Sequence, residues 1–197
     1  MLRSDDMSLT AEEVVHLVAR LSQRDRRLAA AMRGREAMDE PPAMEQILVK
    51  ATDRLSDQRV PYAVVGSLAV AIHVSLPRAT RAADIAVASM CDRERVIESF
   101  ARAGFTLRGR FEHSVNLVHG SGDPVQLAFD PSFDVAIARA ETFSLAGREI
   151  RIVRREDLIA LKERAAADPG RRRSKALRDR ADVEMLRGDV PDPDEGW

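Results

Sequence analysis

The sequence predicts an α/β (α+β) fold: a short mixed β-sheet with flanking helices, and further helices at both ends. Three observations predict it. Short apolar runs such as Tyr62–Val65 and Val125–Phe129 have strand length. Turn-forming residues punctuate them at Gly66-Ser67, Gly120-Ser121-Gly122-Asp123 and Ala146-Gly147. Longer amphipathic stretches lie between and around these runs. With 197 residues, the chain can hold one domain with a real core and an appendage. Three segments are expected: a helical appendage over 1–40, the main domain over 41–187, and an irregular Pro- and Asp-rich tail over 188–197.

Ser8 or Thr10 can cap a first helix over 9–33, and Glu12 and Glu13 suit its positive end. Val14, Leu17, Val18, Leu21 and Leu28 recur at helical spacing, which gives it an apolar face for core packing or a homodimer contact. Gly34 and Pro41-Pro42 end it. A second amphipathic helix follows over 43–58, with Met44, Ile47, Leu48, Ala51 and Leu55 inward. Strands are expected at 62–65 and 85–88, and a helix over 93–103 stopped by Gly104. A strand over 111–119 and one over 125–129 form a hairpin across the glycine-rich turn. A helix over 132–139 and a hairpin at 143–145 and 149–153 come next. Helices over 156–167 and 174–186 close the chain.

Charge is high but balanced, 31 basic against 32 acidic residues, so a protein that coats nucleic acid wholesale is disfavoured. The densest basic stretch is Arg171-Arg172-Arg173, with Arg154-Arg155. The single cysteine, Cys91, excludes an internal disulfide and a cysteine-based zinc site. No signal-peptide core and no apolar run of about 18 residues are present, so the expectation is a cytoplasmic protein without a membrane span.

The most informative segment is YAVVGSLAVAIHVSLPRATRAADIAV, residues 62–87. It reads as strand, tight turn, helix, loop, then a strand carrying Asp84. A turn without side-chain bulk at a helix start leaves backbone N–H groups for a phosphate. Gly66, Ser67, Ala69, Arg78, Thr80, Arg81 and Asp84 resemble the signature of the nucleotidyltransferase superfamily with the DNA polymerase β-like fold. AbiEii-type toxins and related minimal nucleotidyltransferases match best. PVQLAFD, IRIVRREDLIALK and SKALRDRADVEML resemble later blocks of that family, so the resemblance runs from Tyr62 to Leu186.

The resemblance implies transfer of an NMP from an NTP to a hydroxyl of RNA (tRNA among them) or protein, with Mg²⁺, often as a toxin–antitoxin or defence component. A cognate antitoxin or toxin protein is then an expected partner. It implies phosphate-binding roles for Gly66, Ser67, Arg78 and Lys162, a catalytic and metal-binding role for Asp84, and a further site carboxylate at Asp182. The ordinary alternatives are a strand–helix turn, a structural arginine, a solvated helix lysine, and an Asp182 that caps or pairs with Arg178 or Arg180. His73 reads as helix-face packing.

Two carboxylates at i and i+2 on a strand share one face, and a third on a neighbouring strand completes a two-metal cage. Here the first position of that pair is Ala82 and the third acid is replaced by Gln126. If Asp84 is instead the first acid, Ala86 replaces the second. One carboxylate and an amide hold Mg²⁺ weakly. Three readings stay open: a degenerate, silent member; catalysis through a substitute acid, with Asp130, Asp123 or Glu112 as candidates; or an engineered Ala82. A non-catalytic module that binds nucleotide, RNA or a protein partner is the rival from another class.

Overall fold

The computed structural model describes residues 9–34, 44–80, 82–120, 122 and 124–191. Helix α1 (Ala11–Ala31) begins at a reciprocal cap: the Thr10 hydroxyl accepts from the Glu13 N–H while the Glu13 carboxylate accepts from the Thr10 N–H. Ser8, the other candidate cap, lies outside the described residues. Helix α2 (Met44–Asp57) buries Met44, Ile47, Leu48, Ala51 and Leu55, the positions its spacing predicts.

Strand β1 (Tyr62–Val65) runs directly into α3 (Gly66–Val74) and, after a loop, β2 (Ala83–Val87). Helix α4 (Arg93–Arg102) is capped by Asp92, which accepts from the Arg95 N–H. It leads to β3 (Phe105–Arg110), β4 (Ser114–His119) and β5 (Pro124–Ala128). A 3-10 turn at Pro131–Phe133 precedes α5 (Asp134–Ala138), then β6 (Glu141–Leu145), β7 (Arg148–Ile152), α6 (Arg155–Ala167) and α7 (Arg173–Arg187).

The strands form one mixed sheet in the order β3-β4-β5-β2-β1-β7-β6. β1 and β2 are antiparallel; β2 pairs parallel with β5 and β1 parallel with β7. Both faces of β1 are buried, which is why it reads as a continuous apolar run and not an alternating one. One hydrophobic core joins the sheet to α1, α2, α3, α4 and α6. Helix α1 contributes Val14, Val15, Val18 and Ala19 to it, with Leu17 and Leu21 half-buried at its border and Leu28 exposed. The apolar face at Val14 and Val18 is therefore filled from within the molecule.

The structure departs from the expected elements in several places: the strand at 85–88 lies at Ala83–Val87, and at 132–139 a 3-10 turn and the short α5 replace one helix. Strand β3 was not expected, because five of its six residues are at least partly exposed at the sheet edge and Arg108, Gly109 and Arg110 break any alternation. The expected strand over 111–119 starts at Ser114; Phe111, Glu112 and His113 form the β3–β4 turn, closed by the Phe111 N–H on the Ser114 carbonyl. Among the described residues, no helix is long and apolar enough to cross a membrane.

Candidate functional site

The sheet register builds the site. Val65, the last residue of β1, lies opposite Asp84, and Asp84 lies beside Gln126 on the parallel strand β5. One strand further, Gln126 faces Asn116 of β4. Asp84, Gln126 and Asn116 thus form a polar row across three strands.

Gly66 completes the corner. Its φ of +71° lies in the left-handed region, where side chains with a Cβ are strained. A Cβ at this position would also run into the Asp84 carboxylate, with the Asp84 Cβ at 3.0 Å. Glycine is therefore required twice: by the turn from strand to helix, and by the close approach of the carboxylate. Val65, the residue that starts α3, makes no side-chain cap hydrogen bond to the first turn. The Gly66-Ser67 turn and Asp84 share one corner of the cleft, as the spacing predicts.

Opposite the sheet stands the α6–α7 hairpin. Lys162 Nζ lies 3.0 Å from Asp179 Oδ1 and 2.6 Å from Asp182 Oδ2. Arg171 Nε lies 2.5 Å from Asp179 Oδ2. Arg78 Nη1 lies 2.6 Å from Asp182 Oδ1, an ion pair whose angles leave that oxygen without a hydrogen bond. Both aspartates are buried. Three cations against two carboxylates leave this cluster with one positive charge in excess, directed by Lys162 and Arg171 at the cleft. Gly66, Asp84, Gln126, Lys162, Arg171 and Asp179 all line the same cavity of about 200 Å³.

Asp84 feels this setting. Burial pushes its carboxyl up to about 6 from an ordinary 3.8, while the charges of Lys162 and Lys175 pull the other way. Asp182 pairs with Lys162 and Arg78, not with Arg178 or Arg180. The reason is helical: Asp179 and Asp182 lie three residues apart on the face of α7 turned to α6, and Arg178 and Arg180 are on the exposed side. That i, i+3 pair of acids facing a lysine on the preceding helix was the legible signal for Asp179, which spacing alone did not single out. Arg171 belongs to the basic run already noted.

The other candidates lie elsewhere. Asp130 caps the 3-10 turn, accepting from the Ser132 N–H at 2.8 Å, and hydrogen bonding from the Ser132 hydroxyl, then from its N–H, holds the carboxyl below the usual range; it does not line the cavity. Glu112 is exposed in the β3–β4 turn, and Asp123 and Arg81 lie outside the described residues. His73 packs as expected, its Nε2 donating to the Val153 carbonyl at 2.7 Å, and burial lowers its pKa.

The donor set does not fit a two-metal centre. At 82 the side chain is a methyl group, and its carbonyl accepts from the Thr80 hydroxyl. At 126 an amide donates from Nε2 to Asn116 Oδ1 at 3.2 Å. Among the described residues, no group of three or more His, Cys, Asp or Glu is arranged to hold a metal ion.

No family model and no curated protein sequence matches this chain. Solved structures do. The lincosamide antibiotic adenylyltransferase LnuA, bound to lincomycin, superposes with a TM-score of 0.52 at 14% identity, over 74% of this chain and 96% of that one. An antigenic nucleotidyltransferase-like protein from Paracoccidioides brasiliensis gives 0.51 at 19% identity, over 73% and 75%. The antibiotic-resistance factor ANT(2'')-Ia in solution gives 0.50 at 16%, over 73% and 88%. At such identities the likeness is one of fold, and the chain carries the fold of the nucleotidyltransferase superfamily.

Proposed function

We propose that this chain binds nucleoside triphosphates in the cleft between β2 and the α6–α7 hairpin, and that nucleotidyl transfer is weak or lost. The observation that carries the reading is the register: Asp84 stands beside Gln126 on one strand and two residues beyond Ala82 on its own. Two-metal transfer needs a cage of carboxylates to hold both ions and offset the charge of the triphosphate. One carboxylate and one neutral amide do not make that cage, so Mg²⁺ binding at Asp84 is weak. Phosphate binding does not need the missing acids. The first-turn N–H groups at Gly66 and Ser67 suit an anion, and Lys162 and Arg171 line the same cavity with a net positive cluster behind them.

A second reading adds an acceptor or partner. Residues 168–180 hold six cations and two acids, and Arg172, Arg173 and Lys175 are exposed beside the cleft. This rim suits a polyanion such as RNA, held by its phosphates. A toxin–antitoxin role follows from the sequence resemblance to AbiEii-type toxins. The experiment is incubation of the protein, and of the Ala82→Asp/Gln126→Asp variant, with each labelled NTP, Mg²⁺ and total RNA. The expected result is NTP binding by both forms and transfer by the double variant alone. Robust metal-dependent labelling by the unaltered chain would overturn the proposal.

A further inference from the structure

The cavity is small for a whole nucleotide, and only its Gly66, Lys162 and Arg171 side suits phosphates. Its volume of about 200 Å³ is somewhat above the roughly 150 Å³ that accepts a benzene ring, and below the roughly 300–1,000 Å³ of clefts that enclose drug-sized ligands. One wall is apolar: Ala128 on β5, Phe133 in the 3-10 turn, and Leu158 and Leu161 on α6. Phosphate oxygens gain nothing from such a wall, whereas a flat heteroaromatic ring does.

Besides Lys162, Arg171 and Asp179 of the helical hairpin, the sheet builds a polar edge of its own. Asp84 and Gln126 are register neighbours on parallel strands, about 4.8 Å apart. The Gln126 amide is fixed, because one of its N–H groups is taken by Asn116 Oδ1. That leaves its oxygen and its second N–H for a ligand. The carboxylate of Asp84 only accepts. The edge therefore reads as acceptors at Asp84 and a donor at Gln126.

We infer that this cavity holds a purine base of guanine type, with its two adjacent N–H donors on Asp84 and its carbonyl oxygen on the remaining Gln126 N–H. The inference rests on the nucleotide-binding reading and specifies the base. Adenine offers a single N–H donor group beside a ring acceptor, and that acceptor would oppose the carboxylate. The phosphates then lie towards Gly66, Lys162 and Arg171 on the same cavity. The acids lost from the cleft fit this use: a cage of three carboxylates would replace the donor at Gln126 and add charge to an apolar wall.

Calorimetric titration of the full chain in EDTA tests it with three probes: guanosine, adenosine and inorganic tripolyphosphate. Guanosine should bind at least about tenfold more tightly than adenosine. Ala128→Leu, which fills the wall, should weaken guanosine at least tenfold and leave tripolyphosphate within threefold. If that variant does not fold by circular dichroism, Gln126→Leu should weaken guanosine by about tenfold through loss of the donor. Tripolyphosphate binding without any nucleoside heat at millimolar concentration would overturn this inference and leave the triphosphate reading standing. Guanosine binding without tripolyphosphate binding would uphold the base site and remove the phosphate contacts. Guanosine affinity unmoved by both substitutions would place the nucleoside elsewhere. No binding of guanosine, tripolyphosphate or GTP would remove both readings.

Discussion

Asp84→Asn should make the protein more stable at pH 8 and leave it nearly unchanged at pH 4. Asn is close in shape to a protonated Asp, so the substitution removes the charge and little else. The native carboxyl is pushed from 3.8 to about 6 by burial. Below pH 3.8 both folded and unfolded chains are protonated, and the charge has no effect on stability. Between 3.8 and about 6 the unfolded chain loses its proton while the native one keeps it, so stability falls as pH rises. Above 6 the full burden of a buried carboxylate is present. At 1.36 kcal/mol per pKa unit this is about 3 kcal/mol, a large part of the roughly 5–15 kcal/mol that holds a typical domain together. Urea denaturation of both forms at pH 4, 6 and 8 measures it, and the difference between the forms cancels other titrating groups. The Asn form should gain about 1–3 kcal/mol at pH 8 and less than about 0.5 kcal/mol at pH 4. An Asn form that is equally or less stable at pH 8 would refute the reasoning, since Asp84 would then be held by a charge or metal that outweighs its burial.

Other substitutions probe the neighbouring parts. Gly66→Ala should destabilise by at least about 2 kcal/mol, from the left-handed φ and the collision with Asp84; Asp84→Ala in the same chain should recover part of that loss in denaturant melts. Asp182→Ala leaves Lys162 with Asp179 alone and Arg78 without its acid, and should cost about 3–5 kcal/mol by chemical unfolding; an effect under about 1 kcal/mol would mean the network is solvated. Lys162→Ala should weaken tripolyphosphate and GTP binding, and a variant that binds them as well as the unaltered chain would remove Lys162 from the phosphate site. Thr10→Ala should cost about 1 kcal/mol through loss of the α1 cap, read as a small drop in the unfolding midpoint.

Much of this architecture is legible in the sequence because local rules and tertiary context agree. The run Tyr62–Val65 ending at Gly66 could only be a buried strand meeting a tight turn, and it is. Where a strand lies at the sheet edge, as β3 does, its side chains meet water and its pattern fades. The site is legible in its first half. Gly66, Ser67, Asp84 and Gln126 come from two neighbouring strands and a turn, and the strand period of two sets their common face. The second half depends on how α6 and α7 pack. Lys162 and Asp182 were singled out by resemblance, but Asp179 was not, because a charge at 179 looks like any solvated helix face until the neighbouring helix is in place. The cavity's apolar wall is harder still: Ala128, Phe133 and Leu161 come from three elements, and no spacing rule connects them.

The central claim is that the cleft binds a nucleotide through protein groups and not through a metal cage. Titrating GTP into the protein in EDTA, and again in millimolar Mg²⁺, tests it most directly. The account predicts binding in both, with affinities within about threefold of each other, because Asp84 alone adds little metal-dependent affinity. No binding in EDTA with tight binding in Mg²⁺ would contradict it, and would place a working metal centre at Asp84 and Gln126.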